Sequence, residues 1–208
     1  EASRIYGDRL KIAALGCIAK DTGDDTILDF RLIHDATHGV GVNGAMKQLD
    51  VTEVPQAKDN RKSLSHQAAS GKKHRGLTAD ISHAHRLVKL EPGDWGLLGC
   101  EIDKDDEHIY VNTCGTFGCS SAGYFWDRLG AGEQRLHHYL AGPKRQTWIL
   151  RVADDFDWRT AAPDIEEKLV FGLFLLVVLR FPVSWKKIRG GDCYSWVGYE
   201  ICLVTYSL

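Results

Sequence analysis

Apolar and polar positions change period several times along this chain. Leu77, Ala79 and Ile81 alternate with Thr78, Asp80 and Ser82, the two-residue period of a strand with one acidic side chain near its end. Upstream, Phe30 and Leu32 alternate before the turn-rich Thr37-His38-Gly39-Val40-Gly41-Val42-Asn43-Gly44, and a polar, basic segment runs from Gln56 to Lys73. That pattern predicts a strand, a loop and an exposed arm. Leu97 to Ile102 and His108 to Val111 are apolar runs around Asp103-Lys104-Asp105-Asp106-Glu107, which reads as a hairpin with an acidic tip. After Gly118, Ala122, Phe125, Trp126 and Leu129 recur at helical spacing, with Ser120 or Ser121 as the cap.

Thr147 to Val152 reads as a strand, Asp154-Asp155 interrupts it, and Phe156 and Trp158 resume the alternation. The two carboxylates therefore fall at a tight turn between strands. Pro163 precedes Ile165, Leu169, Leu173 and Leu176 at helical spacing, in a helix that ends before Pro182. Tyr194 to Val204 closes the chain as a β run. The order strand, hairpin, helix, hairpin, helix, strand predicts an α+β fold, an antiparallel sheet with helices packed on one face. No internal repeat or low-complexity tract marks a linker, so a single structural unit with lobes is expected.

With 208 residues, 44% hydrophobic and 26% charged, the chain can bury about 70% of its extended surface, which excludes a disordered tail. The longest apolar run, Leu169 to Leu179, is closed by Arg180 and falls short of the roughly 20 residues that span a bilayer. With no apolar signal segment, an intracellular protein of cytoplasm or nucleus, without membrane contact, is expected. Six cysteines with no Cys-x-x-Cys pair point to free thiols in a reducing compartment and against structural zinc. The N-terminus lacks an initiator Met, as expected of a piece of a longer polypeptide. A net charge of −2 gives no global attraction to nucleic acid. Locally, however, Lys58, Arg61, Lys62, Lys72, Lys73 and Arg75 stand against Asp59 alone.

Asp80, Asp154 and Asp155, at or beside strand ends, are the candidates for chemistry. Mg²⁺ takes hard oxygen ligands, and two such ions can stabilise the attacking and leaving oxygens of a phosphoryl or nucleotidyl transfer. An Asp-Asp pair alone says little, because Asp24-Asp25 and Asp105-Asp106 read as solvated turns. His83 with His85, and His137 with His138, have no carboxylate or cysteine at ligand spacing and read as structural or surface residues. Cys114 and Cys119 read as small core residues, and so do most of Trp126, Trp158 and Trp196.

Taken in order, these pieces resemble the fingers and palm of a reverse transcriptase, in five segments between about residues 18 and 203. Phe30-Arg31-Leu32-Ile33-His34-Asp35 is similar to the fingers segment that meets the incoming triphosphate, which implies that role for Arg31, with Lys20 as a second positive charge. Thr78-Ala79-Asp80-Ile81-Ser82-His83-Ala84-His85 is similar to the first palm motif, with Asp80 a metal ligand and His85 at the sugar-contacting position. Thr116-Phe117-Gly118-Cys119-Ser120-Ser121-Ala122-Gly123-Tyr124-Phe125-Trp126 resembles the next, in which Gly118 allows close backbone approach to the nucleotide. Val152-Ala153-Asp154-Asp155 resembles the hallmark Ala-Asp-Asp hairpin, with Asp154 a shared metal ligand and Asp155 supporting it. Lys186-Lys187-Ile188-Arg189-Gly190-Gly191 and Trp196-Val197-Gly198-Tyr199-Glu200-Ile201 resemble the last palm motif and the primer-gripping hairpin. They imply Lys187 as proton donor to pyrophosphate and Trp196, Gly198 and Tyr199 as primer contacts.

The resemblance implies a right-hand polymerase palm (76–208) with partial fingers (1–75) carrying the basic arm, and a thumb that is absent. It implies RNA-templated DNA synthesis from dNTPs by a retroelement enzyme using two Mg²⁺ ions, which Mn²⁺ can replace. The partners implied are an RNA template, a DNA primer and the remaining polyprotein domains: a thumb, and an RNase H or integrase. Three departures stand out: His85 replaces the usual aromatic residue, Gly123 stands where Pro is frequent, and Arg151 puts a charge in a strand that is usually apolar there. Three readings compete with reverse transcription: a catalytically decayed remnant that at most binds nucleic acid, an RNA-dependent RNA polymerase palm, and an unrelated acidic-pocket domain such as a phosphotransfer receiver.

Overall fold

The computed structural model describes residues 1–20, 29–103, 105, 107–143 and 146–208. Asp21 and Thr22, the Asp24-Asp25 pair, and Lys104 and Asp106 of the acidic tip lie outside the described residues. The α-helices described are α1 (Ala2–Tyr6), α2 (Val42–Ala45), α3 (Ala57–Ala69), α4 (Ser120–Ala141) and α5 (Ile165–Val178). The strands are β1 (Ile12–Ala13), β2 (Leu15–Lys20), β3 (Asp29–His34), β4 (His74–Asp80), β5 (Gly99–Cys100), β6 (Tyr110–Val111), β7 (Thr147–Val152), β8 (Asp155–Ala161), β9 (Arg189–Gly191), β10 (Cys193–Trp196) and β11 (Tyr199–Cys202). They form two compact units that interleave in sequence, Glu1–Val51 with His85–Trp126, and Thr52–Ala84 with Asp127–Leu208. Helix α3 and β4 thus fall in the same unit, on either side of residue 70.

In the first unit β2 and β3 form an antiparallel hairpin, and β1 pairs in parallel with β5, which pairs antiparallel with β6. The hairpin expected from Leu97 to Val111 is present but shorter, because Pro92–Leu98 forms a 3-10 helix with proline in its first turn. Ala36, Val42, Leu98, Cys119 and Ala122 make one buried cluster in it.

The second unit is built on an antiparallel sheet in the order β7-β8-β4-β9. Helix α5 packs on one face, where Gly172 leaves room for the Trp158 indole, and the His137 ring of α4 meets Phe171 of α5 edge-on at 5.1 Å. The opposite face of β8 is covered by α3 and the β10–β11 hairpin, so both faces are buried. Asp157 and Arg159 lie there fully buried, bonded to each other at 2.7 Å. Arg159 also donates to Asn60 of α3 at 2.6 Å, and Tyr194 donates to Asp157 at 2.7 Å.

That network corrects the reading of residues 56–73 as an exposed arm. Most of the segment is helix α3, at whose start the Asp59 carboxylate accepts from the Gln56 N–H at 2.9 Å. Its buried positions, Asn60, Ser63, Leu64 and Gln67, have helical spacing but are mostly polar, so a hydrophobicity pattern cannot reveal them. Lys58, Arg61, Lys62, Lys72 and Lys73 remain exposed, whereas Arg75 is paired with Asp192 and Glu166.

Two further expectations change. On α4, Phe125 and Leu129 are 50% and 45% exposed, and the buried stripe is Ala122, Trp126, Gly130, Glu133 and His137. Apart from Trp126, small and polar residues occupy the packed face. Not all six cysteines are free: Cys193 and Cys202 face each other across β10–β11, 4.1 Å apart at Cα, and form a disulfide. The pairing follows from antiparallel register, which sequence spacing does not give. Cys17, Cys100, Cys114 and Cys119 are free thiols. Among the described residues no helix is long and apolar enough to cross a membrane.

Candidate metal centre

Strand β4 ends at Asp80 and β8 begins at Asp155, and their register sets these two residues directly opposite each other. The β7–β8 hairpin turns through Ala153 and Asp154, with Ala153 in the left-handed region at φ 51°. The Ile81 N–H donates to the Asp154 carbonyl at 3.0 Å, which fastens this turn to the end of β4. One carboxylate oxygen from each of Asp80, Asp154 and Asp155 lies within 4.8 Å of the others. Three residues far apart in sequence thus meet at one sheet end.

The chain after Pro182 completes the surroundings. An isolated bridge joins Ile81 to Val183, and the Ser184 N–H donates to the Asp80 carbonyl at 2.8 Å. The Ser184 hydroxyl donates to Asp80 Oδ1, and Lys187 Nζ donates to Asp80 Oδ2 at 3.0 Å. Ser184 is a site residue that sequence reasoning missed; a serine three residues before Lys187 carries no pattern that points to Asp80. Burial, then the charges of Asp154 and Asp80, push the Asp155 carboxyl up to about 6, with Lys187 acting in the opposite direction. Crowded carboxylates that resist joint ionisation, all offering hard oxygen donors, suit a divalent cation such as Mg²⁺.

Arg151, which looked costly in its strand, is paired: it donates to Asp127 of α4 at 2.7 Å and to the Ala153 carbonyl at 2.6 Å. The primer-grip candidates separate. Trp196 is a core residue in a cluster with Leu64, Tyr194, Ile201 and Leu203, and Tyr199 packs against that cluster. Gly198 is exposed at the hairpin turn, where its φ of 78° favours glycine.

The remaining candidates belong to the first unit. Lys20 is exposed at the end of β2. The Arg31 guanidinium on β3 lies 4.6 Å from the centre of the Phe117 ring, and the His85 ring meets the same phenyl edge-on at 4.9 Å. Gly118, at φ 101°, passes so close to the His34 carbonyl that any side chain would collide with it. The structure brings Asp80, Asp154, Asp155 and Lys187 together in one place, and Arg31, His85 and the Phe117-Gly118 segment together in another.

No protein-family model and no curated protein sequence matches this chain. Solved structures do. A foamy viral protease-reverse transcriptase in complex with double-stranded DNA superposes with a TM-score of 0.64 at 14% identity, covering 93% of this chain and 30% of the viral one. Apo telomerase from Candida tropicalis, truncated from its C-terminal domain, gives a TM-score of 0.61 at 11% identity over 96% of this chain and 55% of its own. Telomerase from Candida albicans, in complex with a telomeric RNA fragment, gives 0.54 at 14% identity over 72% of this chain and 33% of its own. The chain therefore spans about a third to a half of the length of these structures.

Proposed function

Starting from the reverse-transcriptase-like fold of this chain, we propose that it carries out RNA-templated DNA synthesis, transferring a nucleotide from a dNTP to a primer 3′-hydroxyl. The observation that carries this reading is the meeting of Asp80, Asp154 and Asp155 at the β7–β8 turn of that fold. Asp80 and Asp154 would hold two Mg²⁺ ions, with Asp155 supporting them. Bound there, such ions lower the pKa of a coordinated hydroxyl and neutralise charge on a leaving pyrophosphate. Lys187, its side chain 66% exposed and its ammonium beside Asp80, holds a proton that can pass to the pyrophosphate. Arg31 and Lys20 match triphosphate charge, Gly118 lets backbone approach the nucleotide, and His85 stands at the sugar. Gly198 and Tyr199 are the primer contacts; Trp196 supports them from the core.

Residues 1–75 act as fingers and 76–208 as palm, and the exposed Lys58, Arg61 and Lys62 of α3 meet template or primer phosphates, making binding salt-dependent. A second reading, a remnant that binds primer-template without extending it, is favoured by one observation: Lys187 already neutralises Asp80. Extension of a labelled DNA primer on an RNA template, with Mg²⁺ and dNTPs, separates the two. Polymerisation predicts extension that falls at least a hundredfold in Asp154→Asn, on the order of one removed metal ligand's contribution to transition-state stabilisation. Binding without extension by the wild type supports the remnant. Extension only with ribonucleotides supports an RNA polymerase instead.

A further inference from the structure

Arg151 does more than compensate its own burial. Only 9% exposed, it reaches three acceptors on two elements: Nη1 donates to Asp127 Oδ1 and to the Ala153 carbonyl, and Nη2 donates to the Asp127 carbonyl at 3.0 Å. Space for it is made by Gly130, one turn along α4, where a Cβ would stand 2.5 Å from Nε. A guanidinium suits this task because its planar fork presents several donors in fixed directions, which an ammonium cannot do. The acceptor on the hairpin is the carbonyl of the residue that precedes Asp154 and sits in the left-handed region, a conformation that neighbouring contacts must hold. On the other side, the Ile81 N–H holds the Asp154 carbonyl. The turn that presents Asp154 and Asp155 is thereby fastened at two successive carbonyls, one to β4 and one, through Arg151, to α4.

We infer that Arg151, anchored by Asp127, is a positioning residue for the carboxylate site, fixing the turn from which Asp154 and Asp155 reach a divalent cation. The inference rests on the reading of that site as a cation site. Outer residues that orient metal ligands typically contribute 10- to 100-fold to metal affinity. A residue that only stabilised the fold would lower the melting temperature and leave the affinity of the folded protein unchanged.

The test is Mn²⁺ titration followed by electron paramagnetic resonance, on protein shown to be folded by circular dichroism. Wild type is expected to bind Mn²⁺ and Asp154→Asn to bind it more weakly, which checks the cation site itself. Arg151→Met is expected to weaken Mn²⁺ binding about tenfold or more with every carboxylate in place, and Arg151→Lys to fall between it and wild type. Should Arg151→Met fail to fold because Asp127 keeps an unpaired buried charge, the double variant Asp127→Leu/Arg151→Met, which removes both charges, is expected to show the same weakening. Wild-type affinity in whichever variant folds overturns the inference. Absence of binding by wild type, or binding unchanged in Asp154→Asn, overturns the cation site and the inference with it.

Discussion

Arg159 and Asp157 are fully buried, two residues apart on β8, and the way they are satisfied sets how far either can be changed. Burial pushes the Asp157 carboxyl up, while Arg159 and the Tyr194 hydroxyl pull it back. The guanidinium in turn uses Asn60 of α3. Gly76, across the sheet, has no side chain because the Tyr194 ring fills that space. Removing one member leaves the other charge buried and unpaired, so Arg159→Met is expected to destabilise the protein by about 3–5 kcal/mol. The double variant Asp157→Leu/Arg159→Met is expected to lose less than Arg159→Met alone. Urea unfolding of the two variants beside wild type measures this; a double variant less stable than the single one would contradict the account of a mutually dependent pair.

Helix α4 carries a second buried polar pair, Glu133 and His137, one turn apart on its packed face. Burial pushes the Glu133 carboxyl up to about 7, opposed by Arg151, and holds the His137 imidazole down at about 4, assisted by the charge of His138. The signs are opposite. Between the usual glutamate value near 4.5 and about 7, the folded state holds a Glu133 proton that the unfolded chain has lost, so this group's stability contribution falls as pH rises. Between about 4 and the usual histidine value near 6.5, the unfolded chain holds a His137 proton that the folded state lacks, so that contribution rises with pH. Over their shared window the two slopes oppose each other, and wild type is expected to vary little with pH on their account. Relative to wild type, Glu133→Gln is expected to add a rising slope to stability between pH 4.5 and 6.5 and His137→Asn a falling one, each on the order of 1 kcal/mol per pH unit. Denaturation at a series of pH values reads both slopes; parallel curves for the two variants would refute the assignment.

Across the molecule, what was legible in the sequence is what a two-residue period and a turn can encode. Asp80 closes an alternating strand and Asp154 interrupts another, and antiparallel pairing then sets Asp80 opposite Asp155, the neighbour of Asp154. The α+β class followed from the same patterns. The packed face of α3 was not legible, because Asn60, Ser63 and Gln67 are polar and look solvated, the first two until Arg159 is known to reach them. Nor was the capping of Asp80 by Ser184, a contact across 104 residues that depends on the bridge between Ile81 and Val183. Trp196 shows the same limit: a β run could be read there, but which of its faces is buried is decided by Leu64 and Ile201. Arg151 was legible as an anomaly, and only its partners on α4 and at the turn turn it into a device.

The central claim is that the end of β4 and the β7–β8 turn form a divalent-cation site, and crystals soaked in MnCl₂ test it most directly. The account predicts an anomalous difference peak within coordinating distance of Asp80 and Asp154 carboxylate oxygens, lost in Asp154→Asn. No peak there, with Mn²⁺ bound elsewhere or nowhere, would contradict it.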